Sequence, residues 1–98
     1  MTYYTSGEWI VKPSAEADFF DAFRRSGVEE LDPPLEGLLQ RPILLRDLKS
    51  EGRFVSFAEW DTLEAIEAFR RRPDWNAMVG SMREHLISSS IYTFERVI

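Results

Sequence analysis

Few side chains in this sequence can do chemistry near neutral pH, and most of them fall in its second half. His85 is the only histidine. Its unperturbed pKa alone lies near neutrality, so a general base working at pH 7 would most simply be His85. Trp75 and Asn76 follow a helix break at Pro73; a loop there can aim an amide at a phenol or carbonyl oxygen while the indole covers the ring. Trp60, at the end of a strand-like run, offers a flat wall on which an aromatic substrate would stack. Each of these has a plainer structural alternative. Trp60 can be core alone, Trp75 can close the core beside a solvated Asn76, and a cationic His85 at a helix end complements the macrodipole. Arg70, Arg71 and Arg72 read first as a helix terminus, with Glu67 and Arg71 a surface i,i+4 pair, and second as an anion site.

Missing motifs narrow the chemistry. There is no phosphate loop, nucleotide fingerprint, Gly-x-Ser-x-Gly elbow or pair of carboxylates spaced for acid/base work. The absence of cysteine excludes disulfides, thiolate metal sites and a cysteine nucleophile, and it fits a cytoplasmic protein. A lone histidine without carboxylates arranged around it makes no metal centre. A net charge of −5 without a basic stripe argues against nucleic acid, whose binders need a basic face. Nowhere do about 18 consecutive apolar residues occur, and the N-terminus MTYYTSGEWI lacks a cationic start followed by an apolar core. Neither a membrane span nor a secretion signal is expected. What remains is a pocket that holds a reactive organic molecule and supplies one base or hydrogen bonds.

These residues need elements to position them. At 98 residues, 44% hydrophobic and 30% charged, the chain is expected to form one globular domain, residues 1–98. Alternation over Thr2 to Lys12 predicts a strand with apolar groups on both faces. Pro13 and Ser14 supply a turn and a helix start, Ala15, Phe19, Phe20, Ala22 and Phe23 lie on one helical face, and Gly27 ends the helix before a Pro33-Pro34 loop. Gly37 to Leu48 reads as a second strand in which Pro42 marks an edge or a bulge. Arg53 to Trp60 is the third strand. Asp61 with Glu64 reads as a capping box that opens a helix with Leu63, Ile66 and Phe69 inward. A further helical segment spans Asp74 to His85, and Ser88 to Ile98 closes the chain as a strand. The order βαββαβ predicts an α+β, ferredoxin-like fold: a four-stranded antiparallel sheet with helices on one face. Because the strands put apolar groups on both faces, the uncovered face is expected to meet a second copy, sheet against sheet, in a homodimer.

Several of these stretches together resemble a known family. An early strand ends in Val11-Lys12-Pro13, a turn leads to Gly52-Arg53-Phe54-Val55, and Glu59-Trp60-Asp61-Thr62-Leu63-Glu64-Ala65-Ile66 precedes a break from Phe69 to Pro73. This pattern, over nearly the whole chain, resembles the antibiotic biosynthesis monooxygenase domain, a family of dimeric α+β barrels. Its most specific element is the Glu59-Trp60 pair before a capped helix. The resemblance implies a pocket between sheet and helices and a cofactor-independent monooxygenase acting on a small aromatic, phenolic or quinol substrate, whose anion itself reduces dioxygen. In such a pocket Trp60, Trp75 and Phe69 would hold the ring, with Trp60 and Trp75 bracketing it, and Ser56, Asn76 or His85 would contact its oxygen.

The chain departs from the family's better-defined subgroups. Where quinone-forming members carry an asparagine four residues before the strand-three tryptophan and a tyrosine six after it, this sequence has Ser56 and Ile66. Haem-degrading members place a histidine ten residues after a helical aromatic; counting from Phe69 reaches Val79, and Trp75 to His85 has the spacing but comes too late in the chain. A non-catalytic dimeric ligand-binding or regulatory module is therefore a second expectation. An open apolar cavity with two or three convergent polar groups would favour the enzyme, and a cavity filled by the chain's own aromatics the module.

Overall fold

The computed structural model describes residues 1–25 and 35–98; the expected helix stop at Gly27 and the Pro33-Pro34 loop lie outside the described residues. Strand β1 spans Tyr3–Val11, helix α1 Glu16–Arg24, β2 Leu38–Arg46, β3 Arg53–Trp60, α2 Leu63–Arg70, α3 Pro73–Arg83 and β4 Leu86–Glu95. The strands form one antiparallel sheet in the order β2-β3-β1-β4. This is the expected ferredoxin-like α+β arrangement, with the second helical segment split in two. The split falls where Pro73 can only begin a helix, at the first turn of α3. Pro42 lies on the edge strand β2, in a stretch where the register slips between Gln40 and Ile43, so its missing N–H costs the ladder little.

Two local expectations are corrected. Thr62, not Asp61, caps α2: its extended backbone lets Oγ1 accept the Ala65 N–H at 3.1 Å, the third amide of the helix. Ser14 does not cap α1 either. It sits at φ 68, and the cap position passes to Ala15, which makes no side-chain bond.

Register explains how the core is divided. On the helix-covered face β1 and β3 set Tyr3 opposite Trp60, Thr5 opposite Ala58, Gly7 opposite Ser56 and Trp9 opposite Phe54. Large side chains stand at both ends and small ones in the middle. One cluster gathers Trp9, Val11, Phe19, Ala22, Phe54, Met82 and Leu86, and the other gathers Ala58, Trp60, Ile66 and Phe69.

The opposite face of the sheet carries an exposed apolar patch beside Glu8, Arg53 and Glu59. Ile43, Leu45, Phe57, Tyr92 and Phe94 are 38–50% exposed there; Ile43 pairs with Phe57, and Ser6 of β1 stands between Phe57 and Tyr92 in the same cross-strand row. Among the described residues no helix is long and apolar enough to cross a membrane.

Candidate functional site

A cavity of about 60 Å³ lies at the seam between the two core clusters. Its floor is the row of small residues Thr5, Gly7, Ser56 and Ala58; Trp9, Phe23 and Met82 wall one side, and Trp60, Phe69 and Trp75 the other. The space exists because the helices meet tall side chains at both ends of the sheet and cannot descend onto the low middle. Gly7 is required there by close approach: a Cβ would overlap the Trp9 indole.

Two hydroxyls in this floor are bound in the same way. Trp9 on β1 donates its Nε1–H to Ser56 Oγ on β3 at 3.0 Å, and Trp60 on β3 donates its own to Thr5 Oγ1 on β1 at 3.0 Å. Each indole thereby satisfies a buried N–H that would otherwise cost free energy. A hydroxyl has one donor hydrogen as well as its acceptor lone pairs. Accepting from an indole leaves that hydrogen available and polarises it toward the next acceptor.

Of the residues anticipated as site residues, the cavity brings together Ser56, Trp60, Phe69 and Trp75. Their arrangement differs from the expected clamp. Phe69 lies 5.1 Å from Trp60 and 4.3 Å from Trp75, centroid to centroid, so the slot between the indoles is filled by the chain's own ring.

Asn76 and His85 do not reach the cavity wall. Asn76 is exposed, and its Nδ2 donates to the backbone oxygens of Arg70 at 3.3 Å and Arg72 at 2.9 Å. It serves the Arg70 carbonyl at the end of α2 and adds a second bond to the Arg72 carbonyl, which also accepts the Asn76 backbone N–H at 3.1 Å at the start of α3. His85 lies in the connection from α3 to β4. Its backbone N–H donates to the Met82 oxygen at 3.0 Å and its oxygen accepts the Lys12 backbone N–H at 2.9 Å, so it joins the end of β1 to the end of α3.

Thr5, Gly7 and Arg70 escaped the sequence reading as site residues. For the first two a signal existed: alternate residues of the first and third strands run large, small, small, large, as Tyr3-Thr5-Gly7-Trp9 and Phe54-Ser56-Ala58-Trp60. Arg70 stood only as part of a basic triplet, whose members go separate ways. Arg72 grips Asp74 with Nε at 3.0 Å and Nη2 at 2.9 Å, and this bond chiefly holds the Asp74 carboxyl below its usual range. Arg71 is exposed. Arg70 turns its side chain to the rim of the cavity, and burial lowers its pKa.

The arrangement can hold an apolar ring edge, donate two hydroxyl hydrogens to an oxygen and offer a positive charge at the rim. Among the described residues no histidine or carboxylate lines the cavity, and no group of three or more metal-ligating side chains exists.

Comparison with curated protein sequences finds no match. Solved structures match over almost the full chain. SnoaB, a cofactor-independent oxygenase from Streptomyces nogalater, superposes with a TM-score of 0.79 at 18% identity, covering 99% of this chain and 94% of its own. A conserved protein from Methanosarcina mazei gives 0.84 at 14% identity, covering 99% and 94%. A further structure, an antibiotic biosynthesis monooxygenase, gives 0.78 at 20% identity, covering 98% and 99%. At these identities the likeness is one of fold. The sequence model of the antibiotic biosynthesis monooxygenase family, however, matches residues 2–81, from β1 through most of α3 and including the whole cavity floor. The chain belongs to the antibiotic biosynthesis monooxygenase family.

Proposed function

We propose that this protein is a cofactor-independent monooxygenase acting on a small phenolic or quinol substrate, and that it works as a cytosolic homodimer joined through the open sheet face. The observation that carries the reading is the pair of indole-held hydroxyls in the cavity floor. Ser56 and Thr5 can both donate to a phenolic oxygen, and donors fixed in a site poor in water stabilise negative charge as it develops there. Trp60 and Phe69 supply the wall against which the ring rests.

In this reading the phenolic proton leaves to solvent and the phenolate supplies the electrons that reduce dioxygen. One oxygen atom becomes bonded to ring carbon, giving a quinone, and the other leaves as water. A cavity of about 60 Å³ has room for about two waters, whereas benzene-sized ligands occupy cavities of about 150 Å³. Substrate entry therefore displaces a wall residue. Trp75, half-buried at the outer end of the aromatic stack, is the residue with a way out.

A second reading, a non-catalytic ligand-binding module, is favoured by one observation: Phe69 fills the slot between the two indoles. An oxygen electrode separates the two. With a panel of quinols, anthrones and flavonoids, the enzyme reading expects stoichiometric oxygen uptake with at least one of them. Tryptophan fluorescence that reports binding with no oxygen uptake across the panel would leave the module.

A further inference from the structure

Arg70 brings to the cavity rim a charge that no acid among the described residues answers. It is the last residue of α2, and its side chain reaches the rim beside Ile91 of β4. Its Nη2 donates to the Tyr92 backbone oxygen at 3.4 Å, long for a charged donor. Among the described residues no acid pairs with it. Elsewhere in the fold Arg25, Arg46, Arg53 and Arg72 each hold a carboxylate at 2.7–2.9 Å. Burial lowers the pKa of Arg70, and among the described residues no carboxylate acts against this, whereas Glu8 and Asp47 raise that of Arg53. A guanidinium partly removed from water beside apolar walls is unfavourable until an anion meets it. Its planar fork of donors fits a carboxylate in bidentate fashion.

We infer that Arg70 anchors a carboxylate carried by the ligand, so that the substrate class is an aromatic hydroxy acid. The ring enters the cavity, the phenolic oxygen meets Ser56 and Thr5, and the acid group stays at the rim on Arg70. The inference deepens the proposed function and rests on the cavity being the ligand site. A cation that merely complements the end of α2 would have no preference between an acid and its ester.

Binding of 6-hydroxy-2-naphthoate, whose hydroxyl and acid lie at opposite ends of the ring system, and of its methyl ester, followed by tryptophan fluorescence and by calorimetry, tests this on the unaltered protein. The carboxylate is expected to bind about tenfold tighter or more. In Arg70→Gln that preference disappears while the ester's Kd stays within about twofold, and Arg70→Lys restores part of it. Equal binding of acid and ester by the unaltered protein overturns the assignment, as does a preference that survives in Arg70→Gln. Failure of either ligand to bind overturns it together with the cavity as a ligand site. A carboxylate preference without oxygen uptake instead removes the oxygenase reading and leaves Arg70 as the anion anchor.

Discussion

Trp9 donates its indole N–H to Ser56, the residue that stands opposite Gly7 in the register of β1 and β3, and the Trp9 ring lies across Gly7 to do so. Three residues on two strands thus depend on one another. Ser56→Ala leaves a buried N–H without an acceptor and is expected to cost about 1–3 kcal/mol in urea unfolding. Gly7→Ala forces the indole aside and is expected to cost about 1–3 kcal/mol through overpacking. In the double variant the two losses are expected to be less than additive, because both act through the position of one ring.

Phe69 separates Trp60 from Trp75 and belongs to the core under α2. Phe69→Ala is expected to cost about 3–5 kcal/mol and to open the slot between the indoles. Quenching of tryptophan fluorescence by a flat quinol should then occur at lower ligand concentration than in the unaltered protein. Unchanged quenching would mean that the slot collapses instead.

His85 and Asn76 lie outside the cavity wall. His85→Ala should leave oxygen uptake and its pH profile unchanged, since the connection it makes runs through backbone atoms. Asn76→Ala should lower stability by about 0.5–1.5 kcal/mol, through loss of the hydrogen bonds to Arg70 and Arg72, and leave ligand affinity unaltered. A large fall in turnover for His85→Ala, with the fold intact by circular dichroism, would return it to the site.

The open sheet face gives a prediction of mass. Light scattering on the eluting protein should give twice 11.4 kDa at micromolar concentration. Phe57→Glu places a charge among Ile43, Leu45 and Tyr92 and should shift the species to the single-chain mass. A single-chain mass for the unaltered protein would sink the dimer.

Acid sensitivity should reside in the turn from β2 to β3. Asp47 accepts the Lys49 N–H at 2.8 Å and meets Arg53 Nη1 at 2.8 Å, and these bonds, the backbone one first, hold its carboxyl below the ordinary 3.8. Arg53 is held in turn by Glu8 at 2.8 Å. A folded-state pKa below the unfolded one means that Asp47 contributes stability fully above pH 3.8 and loses it as pH falls through the depressed value. Asp74 behaves alike, through Arg72. Carboxyl NMR titration should place both midpoints below 3.8, and Asp47→Asn should flatten the fall in thermal stability over that acid range.

Much of the fold was legible from local rules. The third strand is Arg53 to Trp60 in both readings because the strand formers Phe54, Val55, Phe57 and Trp60 are concentrated there between a glycine turn and a helix cap. The division between α2 and α3 follows from Pro73 alone. The cap of α2 was misassigned by one residue, because Asp61 and Thr62 are both good caps and only the backbone angle at Thr62 selects between them.

Strand β3, Arg53 to Trp60, marks where sequence stops deciding. By itself the sequence determined the βαββαβ order, the two-faced sheet and the family, because periodicity, prolines and charge are local and repeat in a fixed register. Tertiary structure decided the candidate site. Pairing of β1 with β3 turned two ordinary hydroxyls into indole-held donors, Phe69 came to lie where a ligand had been expected, and Arg70 alone of its triplet turned to the cavity rim. Those outcomes depend on which side chains meet across strands and helices far apart in the chain, a quantity that no spacing along it encodes.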